Sequence, residues 1–328
     1  MEIQSSTRNM YGDIKLYAGT ASQVLATQIS QYLGVPLSEH DIKHFSNDNL
    51  WVRLQSSVRG QDVYVIQTTS RPVHRNLMEL LITLQTLRLD SASRVTAVIP
   101  YLAYSRSDKK DKPRVPITAR LVCDMIEVAG ADRYMTLDLH AGQIQGFFSI
   151  PGDVLSAFHI LQDRLKKRLP KLNNPVVVTA DLGFAKKGRN FAAGLDIPIA
   201  FVEKRRRGAK DQAEALTIIG DVKDRDVILI DDEVDTGGSI TQAANLLKEH
   251  GANDISLVFV HSTFSHPAAE LLAASPISKI IATDTIPILP TDYELLKDKL
   301  EICSVAPLLG EVILRAHEGR SVGEMFNE

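Results

Sequence analysis

Val227-Ile228-Leu229-Ile230-Asp231-Asp232-Glu233-Val234-Asp235-Thr236-Gly237-Gly238-Ser239-Ile240 is the stretch from which the rest of the chain is read. Its four leading residues are apolar and mostly β-branched, the mark of a strand buried on both faces. Two acids follow at the C-terminal edge of that strand. After the small polar run, Ile240, Ala243, Ala244 and Leu247 recur at helical spacing, and Gly251 supplies a stop. Strand, small polar loop and helix together make a phosphate cradle. Glycines let backbone N–H groups approach an anion, and the helix N-terminus adds free donors and a positive dipole end. Thr236 and Ser239 can add hydroxyl donors, and Asp231 and Asp232 sit where they could hold sugar hydroxyls. Neither a Walker loop nor a G-x-G-x-x-G dinucleotide turn is present. The bland alternative is an ordinary strand-to-helix turn capped by Asp and Ser.

Working outward, short apolar runs alternate with amphipathic segments on both sides of this stretch, which predicts an α/β protein. Strands are expected at 14–18, 63–67, 94–100 and 134–138, and again at 176–179, 199–202, 227–230, 255–260, 280–282 and 302–304. Helices are expected at 21–33, 76–87 and 117–128. In 76–87, Leu77, Leu80, Leu81, Leu84 and Leu87 fall on one face and read as core. Residues 1 to about 11 are polar and patternless, and read as a mobile tail. Two domains are expected, 12–150 and 151–328, with a chain end that can cross back to the first. Sites in such sheets lie at the C-terminal ends of strands.

Composition narrows the function classes. The 328 residues are 44% hydrophobic and 23% charged, as in a soluble globular protein of two domains. A net charge of −3 gives no global basic footprint for nucleic acid. Two cysteines far apart, Cys123 and Cys303, form no C-x-x-C pair and suit a reducing cytosol. No apolar stretch predicts a signal peptide or a membrane span, so a cytoplasmic protein is expected.

Three further stretches carry chemistry. Asp138-Leu139-His140-Ala141-Gly142-Gln143-Ile144-Gln145-Gly146-Phe147-Phe148 follows a strand; taken alone, His140 reads as a packed, hydrogen-bonded ring. Asp181 in Thr179-Ala180-Asp181-Leu182-Gly183-Phe184 could be a helix cap. Lys204-Arg205-Arg206-Arg207-Gly208-Ala209-Lys210 could be a solvated basic loop after the strand at 199–202.

Taken together the stretches resemble the ribose-phosphate pyrophosphokinases, which carry the type I phosphoribosyltransferase fold. The resemblance runs from about Ile14 to Phe326. It includes Phe45-Ser46, Asn76-Leu77-Met78-Glu79-Leu80-Leu81, Asp111-Lys112-Pro113-Arg114, the Asp138–Phe148 string, Lys204-Arg205-Arg206, the Asp231–Ser239 loop and Ser304-Val305-Ala306-Pro307-Leu308-Leu309. It implies two phosphoribosyltransferase-like domains, each a mostly parallel sheet flanked by helices. The implied activity moves the β,γ-diphosphoryl group of ATP to the 1-hydroxyl of ribose 5-phosphate, with Mg2+ as the metal. By the same resemblance Lys204, Arg206 and His140 are catalytic, and His140 and Asp181 lie at the metal. Phe45, Asn47, Asn49, Arg106, Ser107 and Asp111 lie at ATP. Asp231, Asp232, Asp235, Thr236, Gly237, Gly238 and Ser239 hold ribose 5-phosphate. Phe45 matches an aromatic that reaches the adenine of a neighbouring subunit, which implies a homo-oligomer, a hexamer built from dimers.

Three departures stand out. Phe45-Ser46-Asn47-Asp48-Asn49 replaces the usual Phe-Ser/Pro-Asp-Gly-Glu. Arg106-Ser107-Asp108 replaces Arg-Gln-Asp. Asp181-Leu182-Gly183-Phe184 puts a Phe where a small residue is usual near the metal. They raise the expectation of altered nucleotide selectivity or regulation, and keep two alternatives open: a non-catalytic synthetase-associated subunit, or a phosphoribosyltransferase.

Overall fold

The computed structural model describes residues 11–205 and 215–326. The tail read at the N-terminus lies outside them as far as residue 10. The chain divides into two compact units, one ending at Leu155 and resuming at Val305, the other spanning Ser156–Ser304.

The first unit contains β1 (Ile14–Ala18), α1 (Gln23–Leu33), β2 (His40–His44), β3 (Leu50–Leu54), β4 (Asp62–Ile66), α2 (Val73–Leu89), β5 (Arg94–Ile99), α3 (Thr118–Ala129), β6 (Arg133–Leu137) and β7 (Gly152–Leu155). Its sheet runs β1-β4-β5-β6-β7, every pair parallel. All residues of β4 and β5 are buried. That is why residues 63–66 and 95–99 read as near-continuous apolar runs rather than alternating ones. Pairing of β7 with β6 carries this unit to Leu155, past the boundary expected near Pro151. The antiparallel hairpin β2–β3 stands apart from the sheet. It was not anticipated, because His40-Asp41-Ile42-Lys43-His44 lacks the apolar content that announces a strand.

The second unit contains α4 (Phe158–Lys166), β8 (Val176–Thr179), α5 (Ala185–Leu195), β9 (Ile199–Arg205), β10 (Ala215–Ile219), β11 (Val227–Val234), α6 (Gly238–Glu249), β12 (Ile255–Ser262), α7 (Ala268–Ala274), β13 (Lys279–Thr283), α8 (Pro290–Leu296) and β14 (Leu300–Cys303). The sheet order is β10-β9-β8-β11-β12-β13-β14. Only β10, at the edge, pairs antiparallel. Helix α6 buries Ile240, Ala243, Ala244 and Leu247, the face predicted from spacing.

The last helix, α9 (Ala306–Glu318), belongs to the first unit and packs on α1. Gly310 makes that approach possible: a Cβ there would lie 2.4 Å from the Tyr32 ring. A buried network fastens its far end. The Arg94 guanidinium donates to both Asp62 oxygens at 2.6–2.7 Å and to the Ala316 carbonyl at 3.1 Å. His317 Nδ1 lies 2.8 Å from Asp62 Oδ2. Burial, with the Asp62 carboxylate alongside, pushes the Tyr64 phenol well above its usual range, so it remains a donor to Asp62 at 2.9 Å. A bidentate, fully partnered pair of this kind tolerates burial where a single charge would not.

Candidate functional site

In the second unit, topology gathers the candidates before any side chain is considered. β9, β8 and β11 are neighbours and mutually parallel, so their C-terminal ends share one sheet edge. Lys204 lies near the end of β9, Asp181 just past β8, and Asp231, Asp232 and the Asp235–Ser239 loop at and beyond the end of β11. This is the edge where open parallel sheets bind ligands.

Two placements differ from expectation. The acids do not follow the strand but lie within it: β11 runs on to Val234, pairing Asp231 with Phe259 and Glu233 with His261 on β12. Lys204 likewise lies in β9, opposite Leu216 of β10, and not in a loop after residue 202. In both cases a neighbouring strand continues the ladder through charged residues, which a single-strand pattern cannot show. Arg206 and the rest of the basic run to Lys210 fall outside the described residues.

The acids are locally ordered. Asp231 Oδ1 accepts the Asp232 N–H at 2.8 Å, and Asp232 Oδ1 accepts the Glu233 N–H at 2.9 Å. Asp232 and Glu233 are buried and Asp231 is half-buried. Gly237 then turns the chain with φ +77°, a conformation that side chains rarely adopt. It is followed by α6, whose first-turn N–H groups have no partner within the helix. Thr236 and Ser239 are exposed beside them.

Asp181 is a cap as well as a candidate ligand. Its Oδ1 accepts the Gly183 N–H at 2.7 Å and the carboxylate is exposed. Phe184, the residue that looked intrusive near a metal, is buried. Its ring packs 5.7 Å from Phe158, with Lys187 Nζ 5.4 Å from its centre. The ring therefore packs into the interior of this unit, while the Phe184 N–H donates to the Asp181 carbonyl at 3.2 Å.

In the first unit, β5 and β6 are adjacent and parallel. The loop carrying Arg106, Ser107 and Asp111 leaves β5, and Asp138 and His140 leave β6 at the same edge. The two are tied: the Gln143 amide donates to the Asp108 carboxylate. Sequence reasoning had Gln143 within the motif but gave it no task. Ile144 is fully buried and Phe148 stacks on Tyr134 at 3.8 Å, which anchors the 3-10 turn after His140. Ser107 accepts the Thr118 N–H through Oγ at 3.4 Å, next to the start of α3. Arg106, Asp111 and His140 are exposed.

Phe45, Asn47 and Asn49 occupy the tip of the β2–β3 hairpin, and Phe45 is 51% exposed. The Phe45 N–H donates to the Asn49 carbonyl at 2.9 Å, and Asn47 Oδ1 accepts the Asn49 N–H at 3.2 Å. Asp48 has φ +62°, so the position suits glycine, and Asp is among the few replacements tolerated there.

Among the described residues no group of three or more His, Cys, Asp or Glu side chains could hold a metal ion alone. Magnesium carried on phosphates needs only one or two protein oxygens, and Asp181 offers one. No helix among the described residues is long and apolar enough to cross a membrane.

Comparison with known proteins agrees over almost the whole length. Residues 14–130 match the family model for the N-terminal domain of ribose phosphate pyrophosphokinase, and 204–327 match the phosphoribosyl synthetase-associated domain. The ribose-phosphate pyrophosphokinase of Aquifex aeolicus is 44% identical over 313 residues, covering 95% of this chain and 99% of that protein. That of Caldanaerobacter subterraneus is 46% identical over 314 residues, covering 95% and 98%. The crystal structure of phosphoribosylpyrophosphate synthetase from Mycobacterium smegmatis superposes with a TM-score of 0.87 at 37% identity, covering 94% of this chain and 99% of that one.

Proposed function

The chain belongs to the ribose-phosphate pyrophosphokinase family, and from that premise we infer that it transfers the β,γ-diphosphoryl group of ATP to the 1-hydroxyl of ribose 5-phosphate, releasing AMP. One observation carries the reading: 44% identity that spans both units, with almost none of the relative left uncovered. A phosphoribosyltransferase sharing only the Asp231–Ser239 loop would not match the first unit as well.

The chemistry is attack of a hydroxyl on phosphorus between two anionic substrates, so the protein's task is positioning and charge stabilisation. Asp231 and Asp232 accept hydrogen bonds from the ribose hydroxyls. The N–H groups of the Asp235–Ser239 loop and the first turn of α6 hold the 5-phosphate. Lys204 and Arg206 stabilise charge on the transferring β-phosphoryl group without moving a proton. His140 contacts the ATP phosphates. Asp181, and by the same reading His140, would hold Mg2+, which when bound neutralises and orients the triphosphate. Arg106, Ser107 and Asp111 serve the adenine and phosphates, and Phe45, Asn47 and Asn49 serve the adenine of a neighbouring protomer. That last assignment needs an oligomer, which we read as a hexamer built from dimers, and we read the enzyme as cytoplasmic.

A second reading, a non-catalytic synthetase-associated subunit, is favoured by the amides at Asn47 and Asn49 in place of carboxylates. AMP release from ATP and Mg2+, with and without ribose 5-phosphate, separates the two. The enzyme gives ribose-dependent AMP, and Lys204→Ala lowers kcat by about 100-fold or more. A folded protein that binds ribose 5-phosphate and releases no AMP would establish the second reading.

A further inference from the structure

Between the β2–β3 hairpin and the first turns of α2 lies a cavity of about 740 Å3, lined by none of the residues assigned above. Four of its wall residues are basic side chains from two distant stretches: His44 on the hairpin, and Arg71, His74 and Arg75 at the start of α2. The two arginines are permanently charged. Among the described residues neither is in an ion pair. Arg75 instead donates to His44 Nε2 at 2.6 Å. Arginine has no lone pair to offer, so that ring nitrogen is the acceptor and the contact leaves the positive charge uncompensated. His74 Nε2 lies 2.9 Å from the Tyr104 hydroxyl, which fixes the ring at the cavity edge. Asp48 is the single carboxylate on the wall, one negative charge against two fixed positive ones.

Helix α2 adds to this field. Its N-cap is Pro72, which makes no side-chain cap, and the first-turn N–H groups have no helical partner. The rest of the wall is apolar: Leu50, Pro72, Val73 and Met78, the last 48% exposed. Forked cationic donors beside an apolar shelf match a phosphate group carried on an organic body. The volume falls within the roughly 300–1,000 Å3 of small-molecule sites.

We propose that this cavity is a binding site for a phosphate-bearing small molecule, with Arg71 and Arg75 on the phosphate and the apolar wall under the remainder. His44 and Asp48 bracket Phe45 and Asn47, so an occupant ties the hairpin tip to α2 and sets the position of the tip. The proposal stands on the cavity and its side chains, and holds or fails independently of the reaction assigned above.

The chain's single tryptophan is Trp51, on β3 next to the lining residue Leu50, and it reports on the hairpin. Its fluorescence in the full-length protein is titrated with inorganic phosphate, with AMP and with adenosine. A saturable change with phosphate or AMP, absent with adenosine, is expected. Arg71→Gln/Arg75→Gln should weaken it about tenfold or more, because each arginine contributes charge-assisted bonds. Arg106→Ala, which removes a residue assigned to ATP, should leave it unchanged. AMP acting far more tightly than phosphate identifies an organic phosphate as the occupant; equal action identifies the free ion. If circular dichroism shows the double variant misfolded, Arg71→Gln alone carries the test. No saturable change in the wild type, or a change that survives loss of the arginines but not of Arg106, overturns the proposal.

Discussion

Strand β6 of the first unit and strand β11 of the second both lead into motif residues, but they do so by different physics. β6 stops at Leu137, and Asp138 follows in the left-handed region at φ +41°, buried. What comes next is an irregular segment held by side chains: Ile144 in the core, Phe148 on Tyr134, Gln143 to Asp108. β11 keeps its ladder with β12 through Val234, so its acids are fixed by backbone pairing. The loop after it then offers backbone N–H groups at a helix start. Candidate groups in the first unit are therefore as well placed as the side-chain ties that hold them. Those in the second depend on a backbone path that few residues can follow.

The largest effect should come from breaking that path. In Gly237→Val, a β-branched residue would have to adopt φ +77°, and its Cβ would sit 3.3 Å from the Ala268 backbone. Backbone cannot yield as a flexible side chain would, and the left-handed region alone costs about 1–2 kcal/mol. Opening the loop would also disperse the N–H groups proposed for the 5-phosphate. Activity with ribose 5-phosphate should fall about 1,000-fold or more in kcat/KM, as when several positioned donors are lost together. KM for ATP should change far less. Wild-type kinetics in this variant would mean that the loop does not act through its backbone.

The side-chain tie predicts a smaller loss, on the other substrate. Gln143→Ala removes the donor to Asp108, a buried carboxylate, and frees the loop of Arg106 and Asp111 from the segment of His140. KM for ATP should rise about tenfold, the worth of one hydrogen bond to a charged group, with KM for ribose 5-phosphate unchanged. A rise in both KM values would show that the two units are not read separately by the substrates.

The same contrast explains what was legible in the sequence. β4, β5, β8, β11 and β12 announced themselves through near-continuous apolar runs, as strands covered on both faces do. The hairpin did not, because His40-Asp41-Ile42-Lys43-His44 is stabilised by its partner strand and by packing on α2, not by its own pattern. Charge was read as the end of a strand at Asp231 and at Lys204, whereas the partners Phe259 and Leu216 carry the ladder further. Phe184 looked like an intrusion because sequence gives identity but not direction; its ring turns to Phe158. The chemistry-bearing strings themselves were readable, since residue type and order carry them. Convergences such as Arg75 on His44, or Gln143 on Asp108, join positions 31 and 35 residues apart and needed the fold.

The smallest effect concerns the hairpin tip, where a change of charge can be made with no change of turn. Asn47 Oδ1 accepts the Asn49 N–H, and an Asp oxygen can accept the same bond. Asn49 is exposed, so a Glu there adds a carboxylate without repacking. Asn47→Asp/Asn49→Glu should therefore alter stability by no more than about 0.5 kcal/mol. Its effect should be on the choice of nucleotide. A carboxylate accepts firmly from an adenine amino group and leaves the guanine carbonyl unpaired, whereas an amide can turn to suit either. We expect the wild type to use GTP and CTP beside ATP, and the double variant to raise the kcat/KM ratio of ATP over GTP several-fold, up to about tenfold. Competition assays that follow release of the nucleoside monophosphates would measure it. A wild type already strict for ATP would show that the amides at 47 and 49 cost no discrimination, and would turn attention to Arg106 and Ser107 for purine choice.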